Sequence, residues 1–406
     1  MFSIRNYELS LLFLTLILFL SFFLILFKNK YTSILDPLVY HLLWISTFFS
    51  FLCSYIFELN NNIALAFYFL MIMVLYVFLL FLFIQNINRN KDVGELLEYR
   101  KVVILWAIMA LLFFISKYSM FEYFLNNPPI SWFLYRYQDL TGRNPVERIL
   151  STSTSIFLFY YSFLLIFIYK RIVFYVAFVI VLILSINIFG GGRSSLIQFL
   201  LSLGMFAYYF YEHFSASFFN KINFYGVILV CFSILIAIFV TSFYDSGLDP
   251  IYVILNRVIA NADGVEYYLK FDGAYNIESS VIAYVKSTFG IFISPIVGSV
   301  KNVGWQLTEL VTGFEASFAQ GSNFSLPLQI MVFPYYLSIF YVFIITYIVS
   351  YFRNLCLSSN KKSALKYYLS NTGFIIATDV EYWVFTLFCG VLLYLFIIYF
   401  FERVKI

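Results

Sequence analysis

Apolar residues in this chain come in long unbroken runs separated by polar connections. A run of that kind fits neither the two-residue alternation of a half-buried strand nor the one-sided stripe of a surface helix. Each run of roughly 20 residues matches the length at which a helix crosses a hydrocarbon layer of about 30 Å. The pattern predicts spans near 9–27, 38–57, 63–84, 102–124, 149–169, 172–189, 194–211, 225–243, 326–352, 367–380 and 382–401. Of these, 367–380 is the shortest and carries Asn371 and Thr372.

The connections are uneven. Segment 85–101 mixes Arg89, Lys91, Asp92, Glu95, Glu98, Arg100 and Lys101, as a solvated loop does. Segment 125–148 interleaves prolines, charges and aromatics. The longest polar stretch is 244–325; within it 255–270 has helical spacing, with Ile254, Val258, Ile259, Ala262 and Val265 as an apolar stripe. Phe289–Val300 is apolar but too short to span, which suits a re-entrant or interfacial segment.

Composition removes the soluble alternative. With 63% hydrophobic and 11% charged residues and a mean hydropathy of +0.90, the chain could not cover a water-facing surface. The expected fold is all-α: a polytopic integral membrane helical bundle of about 11 transmembrane helices with a large outer loop. No repeat or linker divides it, so residues 1–406 read as a single membrane domain. Fifteen of the 25 lysines and arginines fall in the connections that lie inside if the N-terminus is outside, Lys28, Lys30, Arg353 and Arg403 among them. The positive-inside bias therefore favours N-out and C-in, with 125–148 and 244–325 on the outer face. The first run has no small-residue cleavage site after it and is followed by Lys28 and Lys30, so it reads as a retained span. The high counts of Phe and Tyr, with frequent Ile, Asn and Lys, suggest an AT-rich bacterial coding sequence.

Candidate chemistry concentrates where charge interrupts this pattern. Phe189-Gly190-Gly191-Gly192-Arg193-Ser194-Ser195 sets an arginine in a three-glycine turn between two spans. Glycines let an anionic group approach backbone amides and the guanidinium together, so the turn can seat a phosphate; the competing reading is an arginine that only reaches lipid headgroups. On the same predicted face lie Arg136, Arg143, Arg148 and Arg257, with Asp139, Glu147, Asp245, Asp249, Asp263 and Glu266. On one helix Asp263 and Glu266 stand about 60° apart and share a face that Arg257 flanks from about 120°. A solvated face with local ion pairs explains the same spacing.

Several chemistries are unsupported. The only histidines, His41 and His213, lie at inner ends of spans, away from this face, so neither a Ser-His-Asp triad nor a histidine metal centre is indicated. Cys53, Cys231, Cys356 and Cys389 show no metal or disulfide spacing. No GxxxxGK[ST] loop is present, and nucleic acid is not a sensible partner. No cofactor or metal is implied.

Eleven or so spans, the Gly-Gly-Gly-Arg-Ser-Ser turn, a large outer loop opening with an Asn-Arg...Ala-Asp-Gly helix, and Gly321-Ser322-Asn323-Phe324-Ser325-Leu326-Pro327 before a late span resemble the O-antigen and capsule repeat-unit polymerases of the Wzy type. The resemblance implies an enzyme joining undecaprenyl-pyrophosphate-linked oligosaccharides on the periplasmic face, in contact with membrane lipids; a chain-length regulator is a candidate partner. It implies Arg193 and Arg257 as clamps on the leaving pyrophosphate, which suits fixed, always-charged guanidinium forks. Asp263, Glu266 or Glu315 would orient or deprotonate the acceptor hydroxyl, and Gly191, Gly192, Arg136, Arg143, Arg148 and Asn323 would contact substrate. Related ligases use an outer histidine, which this chain lacks. A lipid-linked oligosaccharide flippase, or a polyprenyl-linked glycosyltransferase, is the other class of protein the layout allows.

Overall fold

The computed structural model describes residues 7–58, 62–87, 96–129, 131–132, 135, 145–190, 195–242, 262–271, 273–278, 280–290, 292–293, 301–313, 323–357 and 363–403. Among these residues there is helix and no strand. The long helices are α1 Leu9–Leu26, α2 Pro37–Phe57, α3 Ile63–Phe83, α4 Tyr99–Ile115, α5 Tyr118–Asn126, α6 Pro145–Phe163, α7 Val173–Phe189, α8 Ser195–Tyr209 and α9 Ala216–Ser242. The second half begins with the short helices α10 Asp263–Lys270, α11 Val281–Thr288, α12 Val303–Thr312 and α13 Leu326–Val332. It ends with α14 Tyr335–Asn354, α15 Ala364–Thr372 and α16 Val380–Leu393. Wider π turns extend α6 over Leu164–Ile168 and α16 over Tyr394–Ile398, after which Tyr399–Arg403 resumes the α-helix.

Among the described residues seven helices are long and apolar enough to cross a membrane, or eight if the pair α4–α5, bent by 48°, is one broken span. The chain is therefore a multi-pass helical membrane protein. The other three sequence runs are helical but short or interrupted. Helices α7 and α8, at 17 and 15 residues, reach only about 23–26 Å. Run 367–380 breaks at Gly373–Phe374 into α15 and the single turn Ile375–Thr378. Run 326–352 is divided at Phe333–Pro334, because proline lacks the N–H that would continue the ladder and disfavours α geometry in the residue before it.

Local chemistry sets the helix starts. Asp36 precedes Pro37, and its Oδ1 accepts from Leu38 N at 3.0 Å, so α2 opens with a capped turn and a proline that needs no N–H partner. Ser280, Asn302, Ser363 and Asp379 cap α11, α12, α15 and α16 in the same manner. At the end of α12, Gly313 takes φ 70°, a left-handed cap that suits a residue without Cβ.

Among the described residues the helices pack into two large cores, and a smaller cluster sets Ile222 of α9 against Leu196, Leu200 and Ala207 of α8 and against Leu35. One joins α1, α2 and α3 with α10, α12, α13 and α14; the other joins α4, α6, α7, α8, α15 and α16. Lipid tails are as apolar as leucine, so close packing and internal hydrogen bonds must hold such a bundle. Gly204 of α8 lies against the chain before α2, where an added Cβ would fall on the Leu35 carbonyl. Gly390 of α16 gives the same intimate contact to the Tyr368 ring.

Hydrogen bonds sort the helix ends into two groups. At one end, Asn354 Nδ2 donates to Phe83 O at 2.8 Å, Ile87 N to Asn29 O at 3.0 Å and Tyr209 Oη to Ser363 O at 3.1 Å. At the other, Glu8 N donates to Glu58 Oε1 at 2.8 Å, Asn62 Nδ2 to Leu269 O at 2.7 Å and Ser119 Oγ to Glu147 Oε2 at 2.6 Å. We call them the Arg353 end and the Tyr7 end. The alternation read from the sequence places α4 to leave, α6 to enter, α7 to leave and α8 to enter at the Tyr7 end.

Candidate functional site

Most of the sequence-predicted site residues, Arg136, Arg143, Gly191, Gly192, Arg193, Arg257 and Glu315, lie outside the described residues, as does the stripe Ile254–Ile259. Arg148 belongs by its backbone to the first turns of α6. Asn323 is exposed and precedes α13, where its carbonyl accepts from Ser325 N at 2.7 Å.

Asp263 and Glu266 are both on α10 but play different parts. Asp263 begins the helix, and its Oδ1 accepts from Gly264 N at 2.6 Å. Glu266 is only 3% exposed and receives two donors on Oε1: Tyr7 Oη at 2.7 Å and Lys270 Nζ, one turn on, at 2.7 Å. Lys270 Nζ also sits 5.1 Å from the centroid of the Tyr7 ring. Burial first, then the Glu266 carboxylate, holds the Tyr7 hydroxyl far above its ordinary range, so Tyr7 stays a proton donor to this carboxylate. The acid that spacing placed on an open face is thus enclosed, and it fixes α10 to the chain just before α1.

A partly open polar cavity lies elsewhere at the same end. Helices α4, α6, α7 and α8 converge around a cavity of about 160 Å³ lined by Phe113, Lys117, Ser151, Ser155, Asn187, Ser195 and Gln198. Each helix contributes from the end that its direction brings there: Lys117 from the bend between α4 and α5, Ser151 and Ser155 from one face of early α6, Asn187 from late α7, and Ser195 and Gln198 from the first turn of α8. Gln198 is exposed and marks the mouth, while Ser155, Ser195 and Phe113 are buried. The volume equals roughly five waters' share of the liquid. Among the described residues the lining contains one lysine and five serine, asparagine or glutamine side chains able to donate hydrogen bonds. Ser195 is the next described residue after Gly190, so the cavity adjoins the two ends of the glycine-arginine turn in sequence.

Composition did not single out Lys117, Asn187 or Gln198. The signal was present as polar residues standing inside or at the tips of apolar runs: Lys117 within 102–124, Asn187 three residues before the first glycine, and Gln198 early in 194–211. Polar groups are costly at such depth, which makes them informative.

Several other buried polar groups bond to one another. Tyr341 Oη donates to Gln329 Oε1 at 2.5 Å and lies 2.8 Å from Tyr284 Oη; Gln329 Nε2 donates to the Phe324 and Ile376 carbonyls at 2.7 and 2.9 Å. These bonds secure the break around α13. His41 lies against Tyr76, with Nε2 and Oη 2.9 Å apart, and stacks on Phe374 within the first core. Asn302 Oδ1 accepts from Trp305 N, which turns its amide to donate to Glu381 Oε2 at 2.6 Å. Among the described residues no three His, Cys, Asp or Glu side chains gather as a metal site would need. No protein-family model, curated protein or solved structure matches the chain.

Proposed function

We propose that this chain is a membrane glycosyltransferase of the repeat-unit polymerase kind, joining undecaprenyl-pyrophosphate-linked oligosaccharides on the periplasmic face of a bacterial inner membrane. The observation that carries the reading is the polar cavity with its lysine, enclosed by the four helices whose ends meet at the Tyr7 end and flanked in sequence by Arg193. The basic residues supply the sidedness: Lys30 and Arg353 mark the end rich in lysine and arginine, which the positive-inside bias turns to the cytoplasm, so the cavity faces outward.

In such a reaction an acceptor hydroxyl attacks the anomeric carbon, the bond to the pyrophosphate oxygen breaks, and the leaving group departs with its electron pair. Cations already in place at the leaving phosphate lower that barrier without reorganisation. Arg193 and Arg257 are assigned that part, with Asp263 nearer the acceptor. The enclosure of Glu266 by Tyr7 and Lys270 suits a positioning role for that residue. The exposed apolar side chains Leu111 and Ile115 on α4 offer polyprenyl tails a surface beside the cavity.

The test is the glycan ladder of a strain deleted for the chain and complemented with wild type or Arg193→Lys. A polymerase predicts a single repeat on the core after deletion, with the full ladder restored by wild type and lost or shortened with Arg193→Lys. Complete absence of repeats after deletion would instead identify a flippase or ligase, and an unchanged ladder would remove the glycan reading altogether.

A further inference from the structure

Helix α11 belongs by sequence to the longest polar connection, but the face it turns outward is apolar. Val281, Ile282 and Val285 are exposed, as is Phe289 at its C-cap, and Ile282 is the most open of them at 64%. At 3.6 residues per turn these four fall within an arc of about 100°, with the exposed Lys286 about 40° beyond one edge. The opposite face is tied down. Tyr284 Oη lies 2.8 Å from Tyr341 Oη of α14, and Ser287 Oγ accepts from Val303 N at 3.0 Å, so α11 is not free to roll and hide its apolar side. Apolar side chains grouped in this way mark a contact surface.

Depth identifies what the surface meets. Tyr341 follows the first residue of α14 by six positions, about 9 Å of helix. Just past α11 the chain sets Phe292 on Phe388 of α16, with ring centroids 5.0 Å apart, and Phe388 stands about 12 Å of helix from the start of α16. Both spans start at the Tyr7 end, so α11 lies level with their interior and not above it. Phe388 is itself exposed on a helix that crosses the membrane, and the outward face of α11 continues that lipid-facing surface. The backbone suits the position: it is helical, and Ser280 Oγ accepts from Ala283 N at 3.0 Å, which satisfies a first-turn donor. Lys286, at the edge of the face, has a stem long enough to carry its ammonium toward the headgroups.

We propose that α11 is a re-entrant helix sunk into the leaflet at the Tyr7 end, with Val281, Ile282, Val285 and Phe289 against lipid acyl chains. The inference goes beyond the glycan reading and does not depend on it. It places part of the 244–325 connection inside the bilayer, where a lipid-borne substrate would meet it from the membrane side and not from water.

Photolabelling of the full-length protein tests this, one copy per nanodisc, in phosphatidylcholine carrying a diazirine high on the acyl chain. Peptide mass spectrometry should find adducts on 281–289 within about threefold of those on the peptide containing Phe388, which serves as the lipid-facing standard in the same molecule. Labelling of the Phe388 peptide without labelling of 281–289 would overturn the proposal, whether water or another part of the chain covers the face. Ile282→Asp should lower the α11 adducts about threefold or more relative to the Phe388 peptide, and Ile282→Phe should keep them. Undiminished labelling of Ile282→Asp would show that the apolar face is not what lipid recognises, and would also overturn it. Should Ile282→Asp fail to fold, the wild type and Ile282→Phe still decide, since neither carries a new charge. A normal glycan ladder after deletion of the chain would leave the result untouched.

Discussion

The two ends of this bundle handle buried charge in opposite ways. At the Arg353 end the guanidinium is wholly enclosed. Its Nη2 donates to Asp36 Oδ2 at 2.6 Å and to Lys30 O at 3.1 Å, and its plane lies 3.2 Å from the centre of the Tyr208 ring. Asp36 in turn accepts from Leu38 N and Thr32 N while capping α2. The buried charge is matched by an opposite charge, and the result ties α2, α8 and α14 across the seam between the two cores. At the Tyr7 end, Lys117 stands among the hydroxyls and amides that line a polar cavity. A charge paired this closely holds helices together, whereas Lys117 stands where the ends of several helices meet around a polar cavity. The comparison separates scaffold from site without reference to residue type, since a basic residue is central to both.

The largest effect expected from breaking this contrast is at the seam. Arg353→Met leaves Asp36 buried without its cation, and removing one partner of an enclosed pair costs about 3–5 kcal/mol. The protein should be lost from the membrane or melt at markedly lower temperature in detergent. Asp36→Asn with Arg353→Met should recover much of the loss, because no unpaired charge remains. Single and double variants of equal stability would show that the pair is incidental to the fold.

Next in size is Gly204→Ala. A Cβ there meets the Leu35 carbonyl, which is backbone and cannot turn aside as a side chain can, so α8 must withdraw from the chain before α2. Overpacking of this kind costs roughly 1–3 kcal/mol. The control is Gly190→Ala, whose added carbon meets the flexible end of Met120 and should change stability much less. Thermal unfolding of both variants in the same detergent checks the ordering.

How far the sequence disclosed this arrangement depends on the range of the interaction concerned. Hydropathy is local, so all eleven runs are helical, and α1, α2 and α3 begin and end within about a residue of their predicted limits. The division at Phe333–Pro334 follows from one proline, although hydropathy carries the run straight through it. The partners of charged residues were not legible. Glu266 and Lys270 are one helical turn apart and could be paired by spacing, but Tyr7, which completes the enclosure, is 259 positions from Glu266. Asp36 and Arg353 are 317 positions apart and read separately as a helix cap and a cytoplasmic basic residue. The cavity gathers residues from four helices, so no window along the chain contains it. Arg193 and Arg257, which carried the sequence reading, lie outside the described residues.

A smaller effect is expected at Glu266, where the first contrast recurs within the Tyr7 end. Glu266→Gln keeps an acceptor for Tyr7 and loses the ion pair to Lys270, which is 29% exposed and partly compensated by water. The cost should be about 1 kcal/mol, that of a weakened hydrogen-bonded contact, not of a stranded charge. If Glu266 positions α10, the variant should polymerise in proportion to the amount of folded protein. A ladder lost at normal protein level and normal melting temperature would return Glu266 to a direct role with the acceptor.

The smallest effect on stability should come from a change that is severe for the cavity. Asn187→Asp is nearly isosteric and lies at a partly exposed position, so its cost to folding should fall within about 0.5 kcal/mol. It nevertheless adds a carboxylate to a lining that has none among the described residues. In water-restricted space that carboxylate repels the phosphate of the proposed substrate. Asn187→Asp should therefore melt like wild type, bind undecaprenyl pyrophosphate weakly at pH 7 and fail to extend the glycan. Lowering the pH toward the ordinary carboxylate range should restore binding in the variant more than in the wild type, because protonation removes the added charge. Wild-type phosphate binding by Asn187→Asp at pH 7 would mean that the ligand does not reach this wall, and the cavity would then belong with the enclosed polar groups of the Arg353 end.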